Sequence, residues 1–300
     1  MAGVQINRTG APSNLLPPDV ATEIWADAQE QSFVMQRVPS TELPGNGKVF
    51  PVVTGDPQAK WVAETEKKPV STGGLSSKPM IPYKMAVIEP FSKEFLRDLP
   101  TLYNALRARL GGAIAKLFDA TVLNGPAPGT GFDTLANAPQ VSIESNTYDQ
   151  VVAALDSVVT AGGDIESFVM APKGEVKLLS VKDDNGRPLF ISNPQTDGSI
   201  GAILGRTAYK AKAVYRKAGG SGVDEILGVG GEWSSARWGA VNSISYSVAD
   251  QATLVDDEGN TIHLFQQNMV AILAEIEVGF VCRDVNRFVK LTGKAGASGS

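Results

Sequence analysis

His263 is the only histidine in the chain, so neither a Ser/His/Asp triad nor a multi-histidine metal site can be built within one copy. Cys282 is the only cysteine, which excludes an internal disulfide and a thiolate zinc cluster. It lies in an alternating apolar run with no histidine near it in sequence, the setting of a small core hydrophobe and not of a nucleophile. Two acidic clusters, "DDNG" at 183–186 and "DDEGN" at 256–260, lack the alternating ligands and distal glutamate of a calcium loop and carry the Asp, Asn and Gly of tight turns. "GVGGEW" at 228–233 has Trp233 where the dinucleotide fingerprint needs its third glycine, and no "GK[ST]" occurs. The 32 acidic residues leave room for a hydrolytic carboxylate pair, but no apolar or aromatic setting singles one out. No catalytic residue, cofactor or metal is expected. Asn7, in "NRT", matches a glycosylation sequon that a cytoplasmic chain would not use.

Composition narrows the classes further. With 300 residues, 43% hydrophobic and 20% charged, the chain has a globular composition and material for two modest cores. A net charge of -5, with lysines and arginines scattered and not striped, argues against sequence-specific nucleic-acid binding. No run approaches the roughly 18 apolar residues of a membrane helix, and "MAGVQINRTGAPSN" lacks the pattern of a secretion signal. Neither membrane association nor export is expected.

The elements that would carry any function follow from periodicity. Asp19 stands as an N-cap ahead of "VATEIWADAQEQ", in which Val20, Ile24 and Ala28 recur every four residues. Strand-like "KVFPVV" and "YKMAVIEPF" bound a long two-stranded arm, and Pro51, Pro79 and Pro82 make it edge structure. Within that arm, "AKWVAETEKKPVST" starts like a strand at Trp61 and becomes a run of acids and lysines with no apolar surface of its own. From Asp98, Leu99, Tyr103, Leu106, Leu110, Ala113 and Leu117 step along one face of a helix running to about Leu123, on the order of 39 Å long. "NGPAPGTGFDTLANAPQ" is a loop.

Thr147 and Gln150 have capping-box spacing at the head of a second helix, whose face is Tyr148, Val151, Val152, Leu155, Val158 and Val159 and whose end is Gly162 and Gly163. After it helix and strands alternate through "SFVMAP", then "KGEVKLLSV", the turn "DDNGRP", and the strand candidates "AILG", "AYKAKAVYR", "EILGVG", "ARWGAV" and "SISYSVA". "MVAILAEIEVGFVCRD" reads as a longer one, with Ile272, Ala274, Ile276, Val278, Phe280 and Cys282 on one face. The class is α+β.

"FVMQRVPS" leading into "KVFPVV", then "AKWVAETEKKPVS", "YKMAVIEPFSKEFLRD" and "FQQNMVAILAEIEVGFVCRDVNRFVKL", taken in that order and spacing, resemble the major capsid proteins of tailed bacteriophages, the Hong Kong 97-like fold. The resemblance covers nearly the whole chain. It implies an N-terminal arm with a short helix at 1–43, an extended β-hairpin loop at 44–92, and a spine helix with a peripheral-domain loop at 93–146. It further implies an axial α+β domain at 147–254, returning strands of the peripheral domain at 255–292, and a flexible tail at 293–300.

What the resemblance implies about function is mechanical. Copies would form pentamers and hexamers of an icosahedral virion shell, assembled in the host cytoplasm around double-stranded DNA held without sequence-specific contacts. Inter-subunit contact would fall to the extended loop through Lys60, Trp61, Glu64, Glu66, Lys67 and Lys68, the alternating charges forming a rim of weak exposed ion pairs. Expected partners are further copies, a portal and decoration proteins. Some members begin with a long scaffolding domain, whereas here the arm helix follows Met1 closely, so a separate scaffold protein or the arm itself would guide assembly. Some shells of this family also join subunits by an isopeptide bond between a loop lysine and an asparagine. Lys60, Lys67, Lys68 and Lys78 are the loop lysines here, with Asn268 or Asn286 as acceptors and Glu275 or Glu277 near them in sequence, but a lysine near its ordinary pKa of about 10.4 is a poor nucleophile, and a non-covalent shell is expected. Two alternatives stay open: an encapsulin-type compartment and a soluble carboxylate hydrolase.

Overall fold

The computed structural model describes residues 18–53, 59, 61–68, 70, 74–94, 99–182, 199–219, 223–242, 244–256 and 258–294. Among them are five helices: α1 (Pro18–Gln31), α2 (Phe33–Arg37), α3 (Leu99–Asn124), α4 (Thr147–Thr160) and α5 (Pro172–Leu179). The strands before α4 are β1 (Ser40–Glu42), β2 (Lys48–Val53), β3 (Leu75–Met80), β4 (Tyr83–Ser92) and β5 (Gln140–Ser142). After it come β6 (Ser167–Met170), β7 (Ser199–Ile203), β8 (Arg206–Lys210), β9 (Ile226–Gly231) and β10 (Ala236–Ala240). The chain ends with β11 (Ser245–Ala249), β12 (Thr253–Val255), β13 (Thr261–His263), β14 (Met269–Cys282) and β15 (Phe288–Thr292).

The chain divides into two compact units. The first comprises Met1–Phe33, Lys84–Lys116 and Asn242–Glu277. In it, β11 pairs antiparallel with β14 from Ser245↔Glu275 to Ala249↔Ala271, β4 also pairs with β14, and β12 and β13 form a separate ribbon. The second comprises Val34–Tyr83, Leu117–Val241 and Val278–Ser300. Its main sheet has six strands in the order β5-β15-β9-β6-β8-β7. All six residues of β9 are buried, because two neighbouring strands and large side chains close over its glycines. A Cβ on Gly231 would stand 2.2 Å from the Phe288 ring, and one on Gly230 would stand 2.7 Å from the Phe168 ring. Val151, Ala154 and Val158 of α4 join Phe168, Met170, Leu178, Val289 and Leu291 in one core.

The long helix and the long strand near the C-terminus form as expected, with 26 residues in α3 and 14 in β14. The expected face of β14 is buried from Ile272 to Cys282. Gly162 and Gly163 end α4 as expected: their N–H groups donate to Val159 and Val158 carbonyls at 2.9 and 3.0 Å.

Several expectations are overturned. "KVFPVV" does not pair with "YKMAVIEPF": β2 pairs with β3 from Lys48↔Met80 to Val53↔Leu75, while β4 joins β14. The sequence of β3, LSSKPM, is too polar to signal a strand. Pro51 and Pro79 are tolerated because each strand of a two-stranded ribbon keeps an unpaired edge. "KGEVKLLSV" supplies the helix of the expected alternation, as α5: Pro172 begins its first turn, and Gly174 and Leu178 are buried one helical turn apart. "AYKAKAVYR" is not one strand, since β8 ends at Lys210 and a 3-10 turn follows over Lys212–Val214.

The helical faces are also rotated from expectation. Ala113 and Leu117 of α3 are exposed, and the large apolar residues and alanines that are buried are Leu110, Ile114, Ala115, Phe118, Val122 and Leu123. In α4, Tyr148, Val152 and Val159 face outward. No capping box forms there: the N-cap is Asn146 at φ 49, and Thr147 Oγ1 donates to the Ile143 carbonyl at 3.0 Å. At the start of α1 the helix begins at Pro18, one residue before the expected cap. Asp98, and the side chains of Val20, Ile24, Leu99, Tyr103 and Leu106, lie outside the described residues.

Lys290 of β15 is wholly buried. Its ammonium donates to the Ala136 carbonyl at 2.9 Å, and burial, reinforced by Arg216, pushes its pKa down to about 8. An unfolded lysine titrates near 10.4, so the unfolded chain binds more protons between about 8 and 10.4. Stability therefore rises with pH across that window, and the charged form costs up to about 3 kcal/mol below it. In Lys290→Met that alkaline gain is expected to disappear, as read from urea unfolding at about pH 7 and about pH 10; an unchanged gain would assign it to other groups.

Candidate functional site: the extended hairpin and its root

The ribbon of β2 and β3 carries a long connection whose described part is polar and open. Trp61 is fully exposed and Val70 nearly so, and Glu64, Glu66, Lys67 and Lys68 are all exposed. Lys60 lies outside the described residues. Trp61, Glu64, Glu66, Lys67 and Lys68 are thus brought to one segment, but among the described residues none of these four charges has an ion-pair partner in its own chain. The segment is locally ordered at one point. Glu66 N–H donates to the Ala63 carbonyl at 3.2 Å, and Ala63 N–H donates to Glu66 Oε2 at 3.3 Å. Between them Thr65 sits at φ 76, a left-handed conformation rare for a β-branched residue and costing on the order of 1–3 kcal/mol.

The root of the ribbon is built quite differently. Leu43, Met80 and Val281 form a small buried core with Phe50 and Val241 against it. Lys78 of β3 donates to Asp133 Oδ2 at 3.2 Å and to the Cys282 carbonyl at 2.9 Å. The same carboxylate oxygen accepts from the Cys282 N–H at 3.1 Å. One carboxylate thereby ties β3, the loop after α3 and the end of β14 together. The chain leaving β3 is held in turn: Ile81 N–H donates to the Gly131 carbonyl and the Tyr83 hydroxyl to the Thr130 carbonyl, both at 2.8 Å. Phe132 meets Tyr83 and Phe118 edge to face at 6.2 and 6.5 Å between centroids. Gly47 turns at φ 84 where a Cβ would come 2.8 Å from the Met80 carbonyl.

Sequence reasoning missed Asp133. It lies in a Gly/Pro-rich loop, and nothing local marks it. It also missed Asp119, buried on α3, whose carboxylate accepts the Val34 N–H at 3.2 Å at the start of α2.

The other candidates occupy structural positions. Cys282 is buried, and burial followed by the nearby Asp133 charge pushes its thiol up to about 12, so it is no nucleophile. His263 pairs with Thr253 across the β12–β13 ribbon, with Nδ1 3.2 Å from Thr253 Oγ1. The Asp256 carboxylate accepts from Glu258 and Asn260 N–H groups at 3.0 and 2.7 Å, a closed turn. The 183–186 cluster lies outside the described residues. The glycines of "GVGGEW" belong to buried β9. Among the described residues no group of three or more His, Cys, Asp or Glu could hold a metal ion, and no helix is long and apolar enough to cross a membrane. Of the residues weighed for a cross-link, Lys78 is engaged at the root, Glu275 pairs with Lys84 at 3.5 Å, and Asn268 and Asn286 are exposed.

A sequence model of the phage capsid family matches residues 13–293. Over 292 residues the chain is 32% identical to the probable major capsid protein gp17 of Mycobacterium phage L5, covering 92% of this chain and 89% of that protein. It is 25% identical over 285 residues to the major capsid protein of Staphylococcus phage 80alpha, covering 91% and 83%. A solved chain of Gordonia phage Cozz matches with a TM-score of 0.69 at 26% identity, covering 98% of this chain and 99% of that one.

Root and tip are expected to respond oppositely to truncation. Asp133→Ala leaves the Cys282 N–H and the Lys78 ammonium without their acceptor and should lower subunit stability by about 1–3 kcal/mol. Trp61→Ala should leave the unfolding midpoint of the isolated subunit nearly unchanged, because the ring is already in water. Urea unfolding of both variants checks this, and a large loss in Trp61→Ala would place that ring in an internal core.

Proposed function

The chain belongs to the phage capsid family, and from that premise we propose that its copies close into pentamers and hexamers and then into an icosahedral shell around double-stranded DNA. It has the Hong Kong 97-like fold, is a major capsid protein of the tailed-phage type and is part of the virion. The observation that carries the assembly reading is the contrast within the hairpin: a root tied by Asp133 to two other segments and a far segment with Trp61 fully exposed. Holding a large aromatic ring in water has no benefit to a single subunit. Rings of this kind are the usual anchors of interfaces.

In this reading Lys60, Trp61, Glu64, Glu66, Lys67 and Lys68 lie on an adjoining subunit. The charges are satisfied between chains, each pair worth about 0–1 kcal/mol, and repetition around a ring multiplies the effect. Residues 1–43 act as an arm, 44–92 as the extended loop, 93–146 and 255–292 as the peripheral region, 147–254 as the axial domain and 293–300 as a tail. The acidic chain, with net charge -5, suits a container through which DNA must move, since tight phosphate binding would oppose packaging. Assembly takes place in the host cytoplasm with a separate scaffold, a portal and decoration proteins as partners. Neither an encapsulin-type compartment nor a hydrolase is favoured by the relatives, which are named as major capsid proteins.

Electron microscopy and sedimentation of the purified chain, alone and with a scaffold supplied, should show capsomers or shells. A monomer of about 32 kDa at every concentration and salt would overturn the proposal. The shell is held without covalent bonds, so particles boiled in detergent should run as single chains, whereas a reductant-resistant ladder of dimers to hexamers would demonstrate a cross-link.

A further inference from the structure

A groove of about 520 Å3 opens beside the root of the hairpin, within the range of about 300–1,000 Å3 typical of pockets that receive a compact group. Phe50, Val52 and Val281 give it apolar lining, and Arg237, Arg283 and Glu232 give it charge. The acid is already neutralised, because Glu232 Oε2 accepts from Arg287 at 2.6 Å. Arg237 donates to the Ser234 and Ala236 carbonyls at 2.5 and 2.6 Å and has no carboxylate partner among the described residues. The groove is therefore apolar and cationic.

The hairpin's far segment carries groups that can complement the groove. Trp61 supplies an exposed ring, and Glu64 supplies an exposed carboxylate with no partner among the described residues. The turn closed by Ala63 and Glu66 holds these two groups on one short segment, which lowers the ordering cost of docking. No residue of that segment lines the groove of its own chain.

We infer that the groove at the hairpin root is the receptor for the Trp61–Glu64 segment of a second copy, with the indole against Phe50, Val52 and Val281 and the Glu64 carboxylate against Arg237. The inference rests on the shell-subunit reading and deepens it by naming both halves of the contact. Because ring and groove are different surfaces of one chain, the contact is head-to-tail, the kind that closes into a ring under rotational symmetry.

A charge exchange tests it. Glu64→Arg and Arg237→Glu should each lower capsomer yield by about tenfold, by setting like charges together, and the double variant should recover most of it. A second pair, Glu64→Cys with Arg237→Cys, should give covalently linked multimers with a short bifunctional thiol cross-linker, and this readout does not depend on Arg237→Glu folding well. Wild-type assembly with neither recovery in the exchange nor linkage by the cysteine pair overturns the groove assignment while leaving the shell reading intact. Failure of the wild-type chain to assemble overturns both.

Discussion

A two-stranded ribbon cannot stand alone in water, and the hairpin here stands because one carboxylate holds its root. Asp133 accepts the Lys78 ammonium from β3 and the Cys282 N–H from β14. Hydrogen bonds to a charged group are worth more than neutral ones, about 1.5–3 kcal/mol, and here they act where a strand end would otherwise leave a partly buried N–H unpaired. The surrounding parts reinforce the same point: Met80 in its small core with Leu43 and Val281, the Ile81 and Tyr83 bonds to the loop after α3, and the Phe132 edge contacts. The free energy that orders the ribbon is concentrated at its base.

In the second unit the main sheet has a buried centre, with every residue of β6 and β15 buried. β9 is buried throughout, and its glycines admit the Phe168 and Phe288 rings where any side chain would collide. α4 covers the sheet with Val151, Ala154 and Val158. Lys290 is the one wholly buried cation among the described residues, and that burial holds its pKa down. Dense packing of this kind resists small displacements, and the hairpin root has its own anchor at the end of β14 and the loop after α3.

For a shell subunit this division has a mechanical logic. In the proposed shell the root belongs to its own subunit, through Lys78 and Asp133, and the exposed segment around Trp61 is left for a neighbour. Many copies then share modest contacts, and the assembly gains from simultaneous engagement more than from any one affinity. The thiol of Cys282 is held protonated by burial, and His263 pairs across a surface ribbon.

Periodicity along the chain was enough to determine the long helix, the long strand near the C-terminus, the glycine stop of α4, the burial of Cys282 and the polar, coreless character of the segment around Trp61. These are local properties, set by spacing, backbone freedom and side-chain type within a few residues. Tertiary structure alone decided the rest. α3 and α4 have apolar residues on more than one face, so the neighbours of Ile114, Phe118, Val151 and Ala154 chose the buried side. β2 took LSSKPM as its partner over the more strand-like YKMAVIEPF because β14 offered the latter a sheet to join. Asp133 acquired its role only when residues distant in sequence converged on one oxygen, and no local pattern in its loop could signal that, since a hydrogen bond across the fold depends on where the backbone goes and not on which residues stand beside it.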